Sequence, residues 1–355
     1  MKRFTQALTG FLCAGLLLSG CGPKPKTPLV LFAADSLIQP FGDLTAAFEA
    51  EHPDIDVQAE YHGSIQVMRH VTELHVKIDV VATADQALIP LLMYQQKDPE
   101  TGKPYAAWYL RFATNRLALA YTPKSQYAAE INGKNWAEVI TRPGVRLGLS
   151  DPRFDASGYR TLMVLKLAEQ TQGPVDLFSR VFAGQFTYPI KVTDEAGLTR
   201  IRVPEILETR KDTHLVVRGA AMELLALLES GDIDYFFEYE SVIQQHGLKM
   251  VSLPASLDLG EAAENPNYGK VAVLLDFQRF ASVKPEFRGE QIGYGITIPS
   301  NAPHSKQAEE FVAFLLSRAG RQIMERDHHP LFDPVPADGY EALPPGLKAL
   351  AAASR

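Results

Sequence analysis

Between positions 29 and 94 a short apolar run three times ends in a small polar turn and gives way to a helical pattern. The first unit runs from 29–32 through Ala33-Ala34-Asp35-Ser36 into a helix marked by Leu37, Phe41, Leu44, Ala47 and Phe48, with Pro40 tolerable in its first turn. In the second, residues 55–61 alternate as a strand, His62-Gly63-Ser64 turns the chain, and Ile65, Met68, Val71 and Leu74 mark a helix. The third is a buried strand over 78–82, the turn Thr83-Ala84-Asp85 and a helix over 88–94. Strands that alternate with helices require a mostly parallel sheet with crossover helices, and such sheets bind ligands beyond the carboxyl ends of their strands. Ser36, Ser64 and Asp85 all fall in those turns.

The pattern starts over downstream. Strands are expected over 117–121, 145–149, 233–237, 271–275 and 293–298, and helices over 159–170, 220–228, 239–246 and 306–317, with a loop over 151–158. We read two α/β lobes: residues 29–112 and 254–355 form lobe I and residues 113–253 form lobe II, with crossings near 112–121 and Pro254. The Ala- and Pro-rich end, 334–355, reads as a loosely packed tail.

The chain opens with Met1-Lys2-Arg3, an apolar stretch over 11–18 and Leu18-Ser19-Gly20-Cys21. A charged start, a short apolar core and a small-residue cleavage site make an export signal over 1–20, and the run is too short to span a bilayer. The ending resembles a bacterial lipoprotein box, which implies lipid on Cys21. Pro23-Lys24-Pro25-Lys26-Thr27-Pro28 then makes 21–28 a semi-rigid tether. With Cys13 removed and Cys21 lipidated, no disulfide is expected in the mature domain. Loss of Lys2 and Arg3 moves the formal charge from −7 to about −9. That balance argues against nucleic acid, and it leaves local dipoles to hold any anion.

Two windows carry carboxylates among small polar and aromatic residues: Asp155 in Asp-Pro-Arg-Phe-Asp-Ala-Ser-Gly-Tyr-Arg (151–160), and Glu238 in Phe-Phe-Glu-Tyr-Glu-Ser-Val (236–242). Ser36 and Ser64 each open a helix, where free N–H groups and the dipole favour an anion. The bland alternatives are that both serines only cap their helices, that Asp155 makes a local turn, and that Glu238 is a solvated carboxylate at a helix start. The histidines offer no chelating pair: His70 and His75 are off a shared helical face, and His328-His329 are adjacent in a loop. No Gly-x-Ser-x-Gly elbow, Walker loop or His-Glu-x-x-His occurs.

Taken in order, Ala34-Asp35-Ser36-Leu37, Gly63-Ser64-Ile65, Ala84-Asp85-Gln86-Ala87-Leu88-Ile89-Pro90, Trp108-Tyr109-Leu110-Arg111-Phe112-Ala113-Thr114-Asn115, Gly158-Tyr159-Arg160 and Phe237-Glu238-Tyr239-Glu240-Ser241-Val242 resemble the tungstate/molybdate-binding lipoproteins of ABC importers. The likeness covers roughly residues 29–320. It implies a two-lobed periplasmic-binding-protein fold of type II, with an oxyanion between the lobes. Ser36 and Ser64 would touch it from one side, and Asp155 and Glu238 would complete a six-coordinate tungsten or molybdenum from the other, with Ser157 and Tyr239 as further contacts. Asp35 departs from the family's usual Gly, and Ala156-Ser157 from its Pro-Cys.

Physics narrows the ligand in the same direction. Two carboxylates repel a bare dianion such as sulfate or phosphate, whereas tungsten(VI) and molybdenum(VI) can take them as oxygen ligands. The expectation is a monomeric, lipid-anchored, extracytoplasmic binding protein without a cofactor, handing tungstate or molybdate to an ABC permease. The alternatives are a sulfate or phosphate binder, or an envelope hydrolase using Asp155 and Glu238 as an acid and base pair.

Overall fold

The computed structural model describes residues 25–171, 174–276 and 285–354. The export signal and Cys21 lie outside the described residues. Strands run in chain order β1 (Thr27–Ala34), β2 (Ile55–His62), β3 (Val80–Thr83), β4 (Tyr109–Ala113), β5 (Leu117–Tyr121), β6 (Leu147–Ser150), β7 (Lys191–Glu195), β8 (Leu198–Val203), β9 (Leu215–Arg218), β10 (Tyr235–Tyr239), β11 (Lys249–Ser252), β12 (Val271–Leu275), β13 (Glu286–Arg288), β14 (Tyr294–Thr297), β15 (Val335–Asp338) and β16 (Ala351–Ala353).

Two sheets share one plan. In the seven-stranded sheet, ordered β2-β1-β3-β14-β4-β15-β16, β1 pairs in parallel with β2 and β3, and β14 inserts antiparallel beside β3. In the five-stranded sheet, ordered β9-β6-β10-β5-β11, β6 pairs in parallel with β9 and β10, and β5 inserts antiparallel beside β10. Each inserted strand is delivered by a crossing of the chain. Residues 114–116 lead from β4 of the first sheet to β5 of the second, and β14 brings the chain back. This is the expected mixed α/β architecture, with two doubly covered sheets joined at their crossings.

The helices between strands form where apolar residues recur at helical spacing. Ile38–Glu51 buries Phe41, Leu44 and Phe48, with Phe41 and Phe48 packed on Phe311 of the helix Ser305–Leu316, and Ala221–Ser230 ends at Gly231, whose φ of 85° is the left-handed stop that glycine accepts without strain. Helix Ala156–Thr171 begins three residues before the expected start, because Asp155 caps it. Strand β10 likewise extends past Phe237 to take in Glu238 and Tyr239.

Two features differ from the sequence reading. A third sheet, β13-β12-β8-β7, pairs β12 with β8 and β13 with β12, so segments from either side of Pro254 share one sheet. The end of the chain is not a loose tail: β15 pairs with β4 and β16 with β15, while Val335, Leu343 and Leu347 are buried. Small side chains let this segment lie flat on the sheet edge, a property that composition alone reads as disorder.

Candidate functional site

The carboxyl ends of the parallel strands of both sheets converge on one buried cleft. β1 delivers Asp35 and Ser36, β2 delivers Ser64 and β3 delivers Asp85. From the second sheet β6 leads to Asp155, β9 to Ala221, and β10 ends in Glu238 and Tyr239. Every one of these residues is at most 6% exposed. The cleft is closed, and the six residues singled out from sequence lie on its two walls.

Neither serine caps its helix. Ser36 lies inside a 3-10 turn, Ser64 is the first residue of helix Ser64–Thr72, and neither helix start has a side-chain cap. The Ser64 hydroxyl accepts from Ala84 N at 3.0 Å, and Ser36 Oγ lies 3.0 Å from Tyr294 Oη. Tyr294 Oη also accepts from Asn115 Nδ2 at 3.1 Å, and in the Ser36–Tyr294 contact either hydroxyl can donate. Ser64 therefore uses an acceptor position within the protein and keeps a proton to donate, as an oxyanion requires, and Ser36 does the same when Tyr294 is the donor.

The helix-start amides expected to hold the anion beside Ser64 are engaged elsewhere. Ile65 N donates to Phe154 O at 3.0 Å and Gln66 N to the same oxygen at 3.4 Å, so this helix grips the opposite wall. The approach is so close that a Cβ on Gly63 would lie 2.5 Å from Phe154 O, which explains a glycine there.

Asp155 combines a structural role with an open one. Its Oδ2 accepts from Ser150 Oγ at 2.7 Å, Ser157 Oγ at 3.2 Å and Ala221 N at 3.1 Å, and its Oδ1 accepts from Ser157 N at 3.1 Å. Ser157 thus holds Asp155 in place, and Oδ1 retains a free lone pair. Glu238, expected by the bland reading to be solvated, is buried, and its Oε1 accepts from Tyr239 N at 2.6 Å. Burial first, then the charges of Asp35 and Asp155, push its carboxyl well above the usual range against that one amide bond.

Asp35 points into this cluster. Its Oδ1 accepts from Ser36 N at 2.8 Å, the amides of Met222 and Ala221 face the carboxylate from the other wall, and Oδ2 is buried without a hydrogen-bond partner. Burial, with Asp155 next, raises its pKa well above the ordinary value, although the three amides oppose the shift. Three carboxylates therefore share one closed cleft. Among the described residues, no group of three or more His, Cys, Asp or Glu is arranged to hold a metal ion.

A cation stands just behind them, where sequence reasoning expected only dipoles. Arg160, buried on helix Ala156–Thr171, donates to Tyr239 Oη at 2.6 Å and to Ala84 O at 2.6 Å, and pairs with Asp85 at 3.4 Å. Tyr159 Oη donates to the same Asp85 at 2.5 Å. Tyr239 lines this layer, its ring centroid 5.9 Å from that of Tyr294. Asn115, Tyr294 and Arg160 were missed as site residues, and Asp85, placed in a strand-end turn, was given no role there, because their partners are far away in sequence; Arg160 follows Asp155 by only five positions, but its role depends on Asp85.

With this geometry in hand, the chain can be set beside known proteins. Residues 29–328 match the bacterial extracellular solute-binding protein family, and the chain belongs to it. It is 38% identical to an uncharacterized solute-binding protein of Methanoculleus marisnigri over 92% of this chain and 87% of that one. It is 36% identical to a molybdate/tungstate-binding protein of Pyrococcus abyssi over 96% and 95% of the two chains. Among solved structures, the periplasmic molybdate-binding protein of Azotobacter vinelandii superposes with a TM-score of 0.55 at 14% identity, covering 86% of this chain and 99% of that one. The sulfate-binding protein SubI of Mycobacterium tuberculosis H37Rv does so with a TM-score of 0.55 at 14% identity, covering 87% and 88%. These likenesses establish a periplasmic-binding-protein fold and a solute-binding protein of the cell envelope.

Proposed function

We propose that this protein captures tungstate or molybdate outside the cytoplasmic membrane and passes it to the permease of an ABC importer. Ser36 and Ser64 donate to the oxygens of the ion, while Asp155 and Glu238 bond the metal and enlarge its shell from four to six. The observation that carries this reading is the meeting, in one closed cleft, of two buried serine hydroxyls and two carboxylates from the opposite wall. A bare tetrahedral dianion would meet only repulsion from the carboxylates, and that repulsion is strong where water is excluded. The close homology to a molybdate/tungstate-binding protein supports the same ligand.

Binding closes the cleft about the crossing at 114–116 and the return to β14, since only the closed form assembles both walls. The protein acts as a monomer held to the membrane by lipid on Cys21, needs no cofactor and breaks no bond. A plain sulfate or phosphate binder is the second reading; the SubI superposition is compatible with it, and the buried carboxylates oppose it. Titration calorimetry with tungstate, molybdate, sulfate and phosphate tests the choice. Tight binding of the first two only is expected, and equal affinity for sulfate would overturn the coordination reading.

A further inference from the structure

Ser36 ends a chain of hydrogen bonds that reaches back to the crossing between the sheets. Asn115 lies in that crossing, and its amide orientation is fixed: Oδ1 accepts from Arg116 N at 2.9 Å and from Ser241 N at 3.4 Å. Nδ2 must therefore donate, and it does so twice, to Tyr294 Oη at 3.1 Å and to Ser241 Oγ at 2.8 Å. Each hydroxyl then keeps its own proton and a second lone pair for its next partner. Tyr294 Oη lies 3.0 Å from Ser36 Oγ, where either hydroxyl can donate, and Ser241 Oγ lies 3.2 Å from His329 Nε2.

The far end is equally constrained. His329 is fully buried and faces Asp327 O through Nδ1 at 3.1 Å, so Nδ1 carries the proton and Nε2 accepts. Its ring meets Tyr294 edge-on at 5.4 Å. Tyr294 opens β14, the returning strand, and Ser241 sits on the helix that follows β10. The chain of bonds thus joins both sheets and the crossing between them to the hydroxyl of Ser36.

We propose that Tyr294 is a positioning residue for oxyanion capture: anchored by Asn115, it takes up the acceptor side of Ser36 and turns the serine proton into the cleft. A free serine rotor would spend much of its time with a lone pair facing the ligand, which an oxyanion rejects. Opening the cleft separates the two sheets and strains the bonds at Asn115, so the oriented donor exists only in the closed form. This inference rests on the proposed function for its choice of ligand.

The test is a double-mutant cycle of Tyr294→Phe and Ser36→Ala, read by titration calorimetry. Wild type is first titrated with tungstate, molybdate, sulfate and phosphate, and the cycle uses whichever oxyanion binds most tightly. If Tyr294 acts through Ser36, Tyr294→Phe alone weakens binding roughly tenfold, and in the Ser36→Ala background it changes affinity by less than about twofold. Additive losses, or an unchanged affinity in Tyr294→Phe, would overturn the relay. The apo melting temperature of each variant confirms folding; should Tyr294→Phe not fold, Asn115→Ala replaces it in the same cycle with the same expectations. A wild type that binds sulfate but not tungstate overturns the proposed function while leaving the cycle decisive for the relay, and a wild type that binds none of the four overturns both.

Discussion

Arg160 Nη2 lies 3.4 Å from Asp85 Oδ2, and the two side chains, 4% and 8% exposed, come from opposite walls of the cleft. The guanidinium also holds Tyr239 Oη and Ala84 O, so one cation joins β3 of the first sheet to β10 of the second. A buried pair of this kind adds little net stability when intact, yet it is costly to break by halves, because the remaining charge stays desolvated.

Arg160→Met should therefore favour the open form, in which Asp85 can regain water. Tungstate affinity is expected to fall about a hundredfold or more, in keeping with a loss of roughly 3–5 kcal/mol for a halved buried pair. Asp85→Asn combined with Arg160→Met should recover part of that loss. Small-angle scattering with and without tungstate would follow closure directly; a single variant that still compacts like wild type would show that the pair does not govern it.

The two proposed metal ligands should respond differently to mutation. Glu238→Gln removes a charge that burial opposes, so it should leave the apo melting temperature unchanged or higher while abolishing measurable tungstate binding. Asp155→Ala loses four accepted hydrogen bonds and a helix cap, so it should lower the apo melting temperature as well, by about 2–3 kcal/mol of stability. Calorimetry paired with thermal unfolding checks both, and tight tungstate binding by Glu238→Gln would remove that residue from the coordination shell.

Asp35→Asn should tighten tungstate binding, by roughly tenfold, because it removes an acid whose charged form burial and Asp155 oppose while keeping an acceptor for Ser36 N. A weaker complex would mean that the charge on Asp35 serves closure more than it repels the ligand.

His329 sets a pH dependence of stability. Burial lowers its pKa from 6.5 to about 4, so the folded protein keeps it neutral while the unfolded chain takes up a proton near 6.5. Its contribution is complete above pH 6.5 and is lost as pH falls toward 4, amounting to roughly 3 kcal/mol across the window. Thermal unfolding of wild type and His329→Gln from pH 7 down to 4 should show wild type losing stability faster. Parallel curves would assign the acid sensitivity to other groups.

What could be read from the chain alone follows from the range of the interactions. β1, β3 and β5 are continuous apolar runs beside glycine-free polar turns, and they were legible, as were the positions of Ser36, Ser64, Asp155 and Glu238 at strand ends. β7 was not: Lys-Val-Thr-Asp-Glu is exposed on a hairpin and carries no buried face to betray it. The pairing of Ser36 with Tyr294 spans 258 positions, and that of Arg160 with Ala84 spans 76, so no local pattern encodes either. Asp155 held both of its readings at once, cap and open ligand, because one carboxylate has enough lone pairs for the two tasks.

β1 and β16 belong to the same sheet, so the described chain both enters and leaves through one body. The five-stranded body is joined to it by the passage at 114–116 and by the return into β14. A tether pulling on the start of β1, or a tag appended after β16, would load the seven-stranded sheet and not the five-stranded one.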